Sequence, residues 1–389
     1  MIVHFQSFFK CFPKRGDKMP RAGVICEFNP FHNGHKFLLE KIKEQYADEI
    51  VCIMSGSFVQ RGDIAITDKY ERTLAALKNG ADMVVELPTV YAVASAQIFA
   101  ENGVRLAAEL GCELLCFGAE NSIEELKEIA DALQSPEVQA RIADNMKQGA
   151  YYPQAVSDAL GEAFADIINK PNNILAIEYI KACRKYGVTP VAVTRKGTAH
   201  DDDKPCGDIA SASFIRSQIS SGDPYSAYTS MTIEHPAFLS GIEPILLFQL
   251  KTIDKDELAI LADVSEGLEN RIYDVALNYN SIKEISEQIK TKRYTMARIR
   301  RILIAVLLGI TREMQATPVP YIRVLGVKRD RQALIRSKEL PLLVDVRRGY
   351  DTLDISAKEI FNIDLKATEL MNISRKTTVN EFSHGLIKV

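Results

Sequence analysis

From Ala22 to about Arg195, short apolar runs alternate with segments of helical periodicity, and no other feature restricts the fold as strongly. "AGVIC" (22–26), "IVCIMSG" (50–56), "DMVVELP" (82–88), "CELLCFG" (112–118) and "TPVAVTR" (189–195) read as buried strands. Between them lie the helical patterns "HKFLLEKIKEQYADE", "DKYERTLAALKNG" (68–80), "AQIFAENGVRLAAELG" and "NNILAIEYIKACRKYG" (172–187). Asp68 with Glu71 suits a capped helix start, and Gly80 a helix end. Such alternation indicates an α/β fold with a parallel sheet covered on both faces. Ligands of these folds bind beyond the carboxyl ends of the strands, here residues 27–35, 55–63, 118–121 and 195–197.

After about Ser220 the pattern changes. "YTSMTIEHP" reads as a linker, Pro236 to Ile310 as mostly helical, and the chain beyond Pro318 as short mixed segments such as "YIRVLGV" and "LPLLVDV". The expected division is an α/β domain over residues 19–225 and a mainly helical domain over 226–389, within the means of a 389-residue chain. Charge is divided too. Between Thr291 and Tyr350 stand 14 Lys and Arg against four acids, a local excess of +10 in a chain whose net charge is −3. Such a block suits a polyanionic partner; a solvated surface balanced by the other domain is the plainer account.

Hydrophobic content of 47% and charged content of 25% belong to an ordinary water-soluble globular chain. The longest apolar run, Ile302 to Ile310, has nine residues, too few to span a bilayer, which argues against a membrane protein. Seven cysteines, an odd number without framework spacing, favour free thiols in a reducing cytoplasm. Cys112 and Cys116 lie four apart, but no second Cys or His pair follows at zinc spacing, so two small core residues are the better account. The first 18 residues carry their basic side chains after an apolar stretch, the reverse of a secretory signal. They read as a dispensable arm, with Met19 as an alternative start.

"NPFHNGHK" (29–36) places two of the six histidines three apart around Gly34, between the first strand and the first helix. Unpaired N–H groups and the helix dipole make an anion site at such a junction. Gly34 would let a phosphate approach the backbone, and His32 and His35 would donate to its non-bridging oxygens. Donors preplaced for charge developing on an attacked α-phosphate act catalytically without a protein nucleophile. Surface histidines and half a metal site are the competing accounts, the second short of partners at fixed spacing.

The HxGH element resembles the signature of the nucleotidyltransferase superfamily shared with class I aminoacyl-tRNA synthetases. Six blocks in order, "GVICEFNPFHNGH", "MSGSFVQRGD", "GADMVVELP", "FGAEN", "KPNNILAIEY" and "KRYTMARIRR", are similar to those of the bacterial tRNA(Met) cytidine acetate ligases, from about Met19 to at least Gly326. The resemblance implies a Rossmann-like nucleotidyltransferase domain with a parallel sheet, followed by a mainly helical, basic, tRNA-binding domain. It implies a cytoplasmic ligase that activates acetate with ATP, Mg²⁺ being carried by the phosphates. The acetyl-adenylate then acetylates the exocyclic amine of the wobble cytidine of elongator tRNA(Met), and acetyl-CoA is not used.

Carried over residue by residue, the resemblance makes Ile25, Cys26, Glu27, Phe28, Asn29, Pro30, Phe31, His32, Asn33, Gly34, His35, Lys36, Phe37 and Leu38 the ATP-binding stretch, with His32 and His35 on the phosphates. It adds Gly118 at the end of the fourth strand, Asn172 and Arg195 as ATP-binding positions. On the residues alone, Asn172 is a helix N-cap or a nucleotide contact, and Arg195 an exposed strand-end charge. "IASASFIRSQI" (209–219) resembles the second superfamily signature, with Ser211, Ser213 and Arg216 as phosphate ligands; a capped helix explains the serines equally well. In "MSGSFVQRGDIA" the family pattern has proline where this chain has Ile64, and Arg61 falls at the expected acetate or tRNA entrance.

"KTKRYTMARIRRIL" (290–303) mixes basic residues with a tyrosine on an expected helix. Lys292, Arg293, Arg298, Arg300 and Arg301 are the candidate tRNA contacts, neutralising phosphates, while Tyr294 either stacks on a base or packs as core. Ile299, Ile302, Leu303 and Val306 give the same helix a buried face. Two other functions compete with the ligase: a small-molecule adenylyltransferase of the HxGH superfamily, which needs no basic annex, and a nucleotide-dependent RNA-binding module without catalysis.

Overall fold

The computed structural model describes residues 19–148, 150, 152–168, 170–194, 205–265 and 267–389. The alternating half of the chain supplies β1 (Arg21–Cys26), β2 (Glu49–Ser55), β3 (Met83–Leu87), β4 (Leu114–Ala119) and β5 (Thr189–Thr194). They lie in the order β3-β2-β1-β4-β5, all parallel, as the alternation requires. Helices α1 (Asn33–Gln45), α2 (Lys69–Lys78), α3 (Ala96–Glu109) and α4 (Pro171–Tyr186) connect and cover them. Strands covered on both faces must be apolar throughout, and β1 to β3 are almost wholly buried. The chain adds strands on one side of β1 and then crosses to the other, so a crevice opens past the carboxyl ends of β1 and β4. The expected arm at residues 1–18 and the strand exit at 195–197 lie outside the described residues.

The second half packs α5 (Ala212–Ser221), α6 (Met296–Leu308) and α7 (Ile355–Arg375) with further helices. The apolar run at 302–310 is the buried core of α6 and its cap. Among the described residues no helix is long and apolar enough to cross a membrane. Their six cysteines are free; Cys112 and Cys116 are buried, and burial pushes the Cys112 thiol up to about 12.

The chain then returns to the first half. "YIRVLGV" contains β6 (Ile322–Val327), antiparallel to β3, and β7 (Leu342–Leu343) and β8 (Ile387–Lys388) pair in parallel with β6. The sheet is therefore mixed, with five parallel strands extended by the C-terminal segment.

Charge as well as apolar contact fixes this return. Lys69 Nζ donates to both carboxylate oxygens of Glu86, at 2.7 and 2.8 Å, and lies 2.7 Å from Glu381. Arg323 of β6 sits 2.6 Å from Glu381 and 3.3 Å from Glu86. The Tyr70 hydroxyl donates to Glu381 and accepts from Arg323. All five side chains are buried, so each charge depends on its neighbours for the solvation it has lost. Arg375, at the end of α7, clasps Asp68 and Glu71 at the start of α2.

Lys69→Ala leaves Glu86 and Glu381 with Arg323 as their one remaining shared cation and is expected to cost about 3–5 kcal/mol in urea unfolding. Burial alone would raise the Glu381 carboxyl, but Lys69 and Arg323 outweigh it and hold it down at about 2. An unfolded glutamate titrates near ~4.3, so this carboxylate contributes stability above that pH and loses it as pH falls through 2. Acid titration followed by circular dichroism is expected to show a shallower loss across that window in Glu381→Gln than in the parent.

Candidate active site

β1 ends at Cys26, and α1 begins seven residues later with His32 as its N-cap. The two histidines cap the helix reciprocally. His32 Nδ1 accepts from the Gly34 N–H at 3.1 Å, and His35 Nδ1 accepts from the His32 N–H at 3.2 Å. The rings stack with centroids 3.6 Å apart. A ring nitrogen that accepts carries no proton, so each neutral imidazole holds its hydrogen on Nε2. A Cβ on Gly34 would sit 2.9 Å from His32 Cε1 and 3.1 Å from its Nδ1. Glycine there makes room for the ring as well as for any ligand.

The backbone donors expected at this helix start are already engaged. The Asn33 N–H donates to Tyr228 O at 2.9 Å, Gly34 N–H to His32, and His35 N–H to His32 O at 2.8 Å. The helix dipole remains, but the donors that the fold orients are the imidazoles. Phe28 and Phe31 are buried beneath them, with ring centroids 4.9 and 5.7 Å from that of His35. Phe28 has φ of +47°, a left-handed conformation that costs a bulky side chain of order 1–3 kcal/mol and is tolerated where the surroundings enforce it.

Those surroundings are visible. Asn29 Oδ1 accepts from the Ile66 N–H at 2.7 Å, and Arg216 of α5 donates to Asn29 O at 2.8 Å. The Asn33 amide donates to Asp208 O and Ala227 O, at 2.8 and 3.0 Å. Behind the turn, the fully buried guanidinium of Arg72 donates to Glu27 O (2.7 Å), Ser55 O (3.0 Å), Thr67 O (3.2 Å), Asp68 O (3.3 Å) and Gly56 O. One side chain of α2 thus gathers the carboxyl ends of β1 and β2. Burial pulls the Arg72 pKa down to about 10, against the pull of Asp68 and its other acidic neighbours, so the group stays charged near neutrality.

Within the stretch from Ile25 to Leu38, His32, Gly34 and His35 face the junction, with Glu27 beside it. Glu27 accepts from the Gln60 N–H at 2.8 Å, and burial pushes its carboxyl up against the pull of that bond and of Arg216, Arg61 and Arg72. Ile25 packs in the core, Cys26 donates to Ile53 O, and Leu38 is half-buried against the second face of the sheet. Lys36 points outward, 3.9 Å from Glu40. Pro30 follows Asn29 and is buried, and Phe37 is half-buried on α1.

Gly118, at the carboxyl end of β4, pairs with Val193 on the other side of the crevice. Asn172 is not the N-cap of α4. Lys170 holds that position without a side-chain cap, and the Asn172 amide donates to Glu120 at 2.9 Å. Arg195 lies outside the described residues. Ser211 caps α5 by accepting from the Phe214 N–H at 3.1 Å, while Arg216 reaches the histidine turn.

The basic segment is half turn and half helix: Thr295 caps α6, which starts at Met296. Lys292, Arg293 and Arg300 are exposed. Arg298 instead donates to Asp263 O (3.0 and 2.8 Å) and Ser265 Oγ (2.7 Å), and Arg301 pairs with Asp263 at 2.6 Å. Those two arginines shape the 263–265 turn, and Tyr294 is buried with the Arg298 guanidinium 5.2 Å from its ring centroid. A hairpin joins this helix to the turn: Phe58–Val59 pairs with Asp63–Ile64, and Gly62 (φ +73°) lies so close to α6 that a Cβ would be 2.5 Å from Arg300 C and Arg301 N. Arg72 and Asp63 were not singled out from the sequence. The available signal was that Lys69, Arg72, Thr73 and Ala76 occupy the buried face of α2, the wrong place for two cations unless they have an internal task.

Comparison with known proteins agrees with this geometry. The family model described as HIGH Nucleotidyl Transferase matches residues 19–384. The tRNA(Met) cytidine acetate ligase of Lysinibacillus sphaericus is 34% identical over 90% of this chain and 95% of its own length, and that of Thermoanaerobacter sp. is 36% identical over 94% and 99%. The crystal structure of apo Thermotoga maritima TmcAL superposes with a TM-score of 0.86 at 28% identity, covering 95% of this chain and all of that one. The same protein bound with alpha-thio ATP gives 0.85 at 27% identity, with the same coverage. The fold and the histidine turn define an enzyme of the HIGH nucleotidyltransferase class. Within it, the chain belongs to the tRNA(Met) cytidine acetate ligase family.

Gly34→Ala is expected to displace the His32 ring and lower ATP-dependent turnover about 100-fold, the usual consequence of misplacing a reacting group by about 1 Å. Nitrogen-15 NMR of imidazole-labelled protein near neutral pH should show both His32 and His35 as Nε2–H tautomers; an Nδ1–H signal from either ring would contradict the reciprocal cap.

Proposed function

We propose that this ligase activates acetate with ATP and transfers the acetyl group to the exocyclic amine of the wobble cytidine of elongator tRNA(Met). The observation that carries the first half is the reciprocal imidazole cap at the β1/β4 crevice, which commits both Nδ1 atoms to the backbone and so puts the proton of each neutral ring on Nε2. An acetate oxygen attacks the α-phosphate, the bond to pyrophosphate breaks, and His32 and His35 stabilise charge on the phosphate oxygens. The buried Arg72 and the Arg216 guanidinium hold the turn so that these donors need not reorganise. Mg²⁺ would travel with the phosphates, since among the described residues no group of three or more His, Cys, Asp or Glu is placed to hold a cation. Gly118 and Asn172 flank the crevice on the β4 side, which suits both to the nucleotide, and Arg195 is assigned to it by the resemblance alone.

The second half rests on the basic segment. Lys292, Arg293 and Arg300 would meet tRNA phosphates, with Arg298 and Arg301 holding the turn that presents them. A wobble cytidine lies in a loop, so bringing its amine to an adenylate costs little unstacking. The acetyl donor is the adenylate, with no part for acetyl-CoA, and the reaction belongs in the cytoplasm, where free thiols such as those of the described cysteines persist.

The experiment is pyrophosphate release from ATP with acetate, with and without elongator tRNA(Met), followed by nucleoside analysis. Acetate-dependent release and N4-acetylcytidine are expected. Release indifferent to acetate, with no acetylated cytidine, would instead mark an adenylyltransferase acting on another acceptor. His35→Ala should abolish adenylate formation while tRNA still binds. Arg293→Ala should leave adenylate formation intact and reduce the salt dependence of tRNA binding by about one unit of slope.

A further inference from the structure

Asp63 stands where the two halves of the site meet. It lies on the Phe58–Ile64 hairpin, one residue past the glycine that rests on the α6 backbone. Two guanidiniums of neighbouring elements act on its charge: Arg300 of α6, and Arg216 of α5, whose Nη1 also donates to the histidine turn at Asn29 O. Arg61 is two residues away on the same hairpin, and Glu27 lies beyond Gln60. Among the described residues its carboxylate accepts one hydrogen bond, 2.8 Å from the Ile64 N–H, and no cation lies within ion-pair distance. Of the other carboxylates at the strand exits, Glu86 is held by Lys69, and Asp68 by Arg375 and two backbone N–H groups. Glu120 and Glu27 each accept one hydrogen bond, from Asn172 and the Gln60 N–H, and belong to the side proposed for the nucleotide. Asp63 keeps acceptor capacity, on the line from the basic helix to the histidine turn.

We propose that Asp63 receives the target base: it accepts a hydrogen bond from the exocyclic N–H of cytosine and takes that proton as the amide forms. The inference rests on the acetyl-transfer reading above. The nitrogen lone pair bonds to the acetyl carbonyl carbon, the carbon–oxygen bond to AMP breaks with its electron pair leaving on the phosphate oxygen, and the amine proton passes to the Asp63 carboxylate. The same contact selects the base. Cytosine presents an N4–H₂ donor where uracil presents an O4 acceptor, so a carboxylate attracts the first and repels the second. Burial pushes the Asp63 carboxyl upward, with the Ile64 N–H, Arg216 and Arg300 pulling back, and a raised carboxyl is a better proton acceptor near neutral pH.

The test is Asp63→Asn in the full chain, with three readouts: acetate-dependent exchange of pyrophosphate into ATP, single-turnover acetyl transfer to tRNA(Met) transcripts carrying C or U at the wobble position, and the pH profile of transfer. Transfer to C is expected to fall about 100-fold or more while exchange persists, the acidic limb of the profile should vanish, and Asp63→Glu should recover part of the rate. Transfer within about 3-fold of the parent, with the profile unchanged, overturns the assignment. So does a parallel loss of exchange and transfer in both variants, which would make Asp63 a structural residue. If the parent chain itself makes no acetylcytidine, the ligase reading has failed, and this inference falls with it; parent transfer beside an unaffected variant isolates the failure to Asp63.

Discussion

A single buried guanidinium, that of Arg72, sets the geometry from which the site follows. Carbonyls at the carboxyl ends of parallel strands have no further strand to bond, and in the interior they have little water. Arg72 satisfies three of them, from Glu27, Ser55 and Gly56, together with two at its own helix start. Lysine has neither the planar fork nor enough donors for that arrangement. The chain can therefore leave β1 through a left-handed Phe28 and still enter α1 with both imidazoles fixed. The charge also remains near the turn, where it favours an anionic ligand.

The second constraint is the neutralised cluster around Lys69. Glu86 comes from β3, the outermost of the five parallel strands, Arg323 from the antiparallel strand beside it, and Glu381 from the last segment of the chain. An apolar interface would hold these parts together in several registers, whereas paired charges in a dry interior accept few. This specificity explains why the chain can leave the sheet after Thr194 and return to a defined edge at Ile322.

The parallel core was readable because each strand is a short apolar run with a helix pattern on either side, from "AGVIC" to "TPVAVTR". The histidine turn was readable because glycine and paired histidines at a strand exit are locally distinctive. "YIRVLGV" was not placed, since a strand's neighbours depend on long-range contacts that leave no local period. Asn172 illustrates a subtler limit: the Pro-Asn pair marks a helix start, yet the proline shifts the cap to Lys170 and turns the asparagine toward Glu120. In the basic segment, charge counting treats five side chains alike, although Arg298 and Arg301 answer a carbonyl and a carboxylate inside the protein while Lys292, Arg293 and Arg300 face solvent. Which cations are spent internally is decided by the turn at Asp263, some 35 residues earlier in the chain.

The C-terminal strands have a bearing on synthesis at the ribosome. Lys69 is made early and is meant to be buried, but one of its two carboxylate partners arrives only at residue 381. A nascent chain carrying the complete histidine turn still has an open sheet edge along β3 and an incompletely compensated ammonium behind it. Final closure must wait until the basic helix and nearly everything after it have left the exit tunnel. Biogenesis is thereby ordered so that the histidine turn matures together with the basic helix and the segments that follow it.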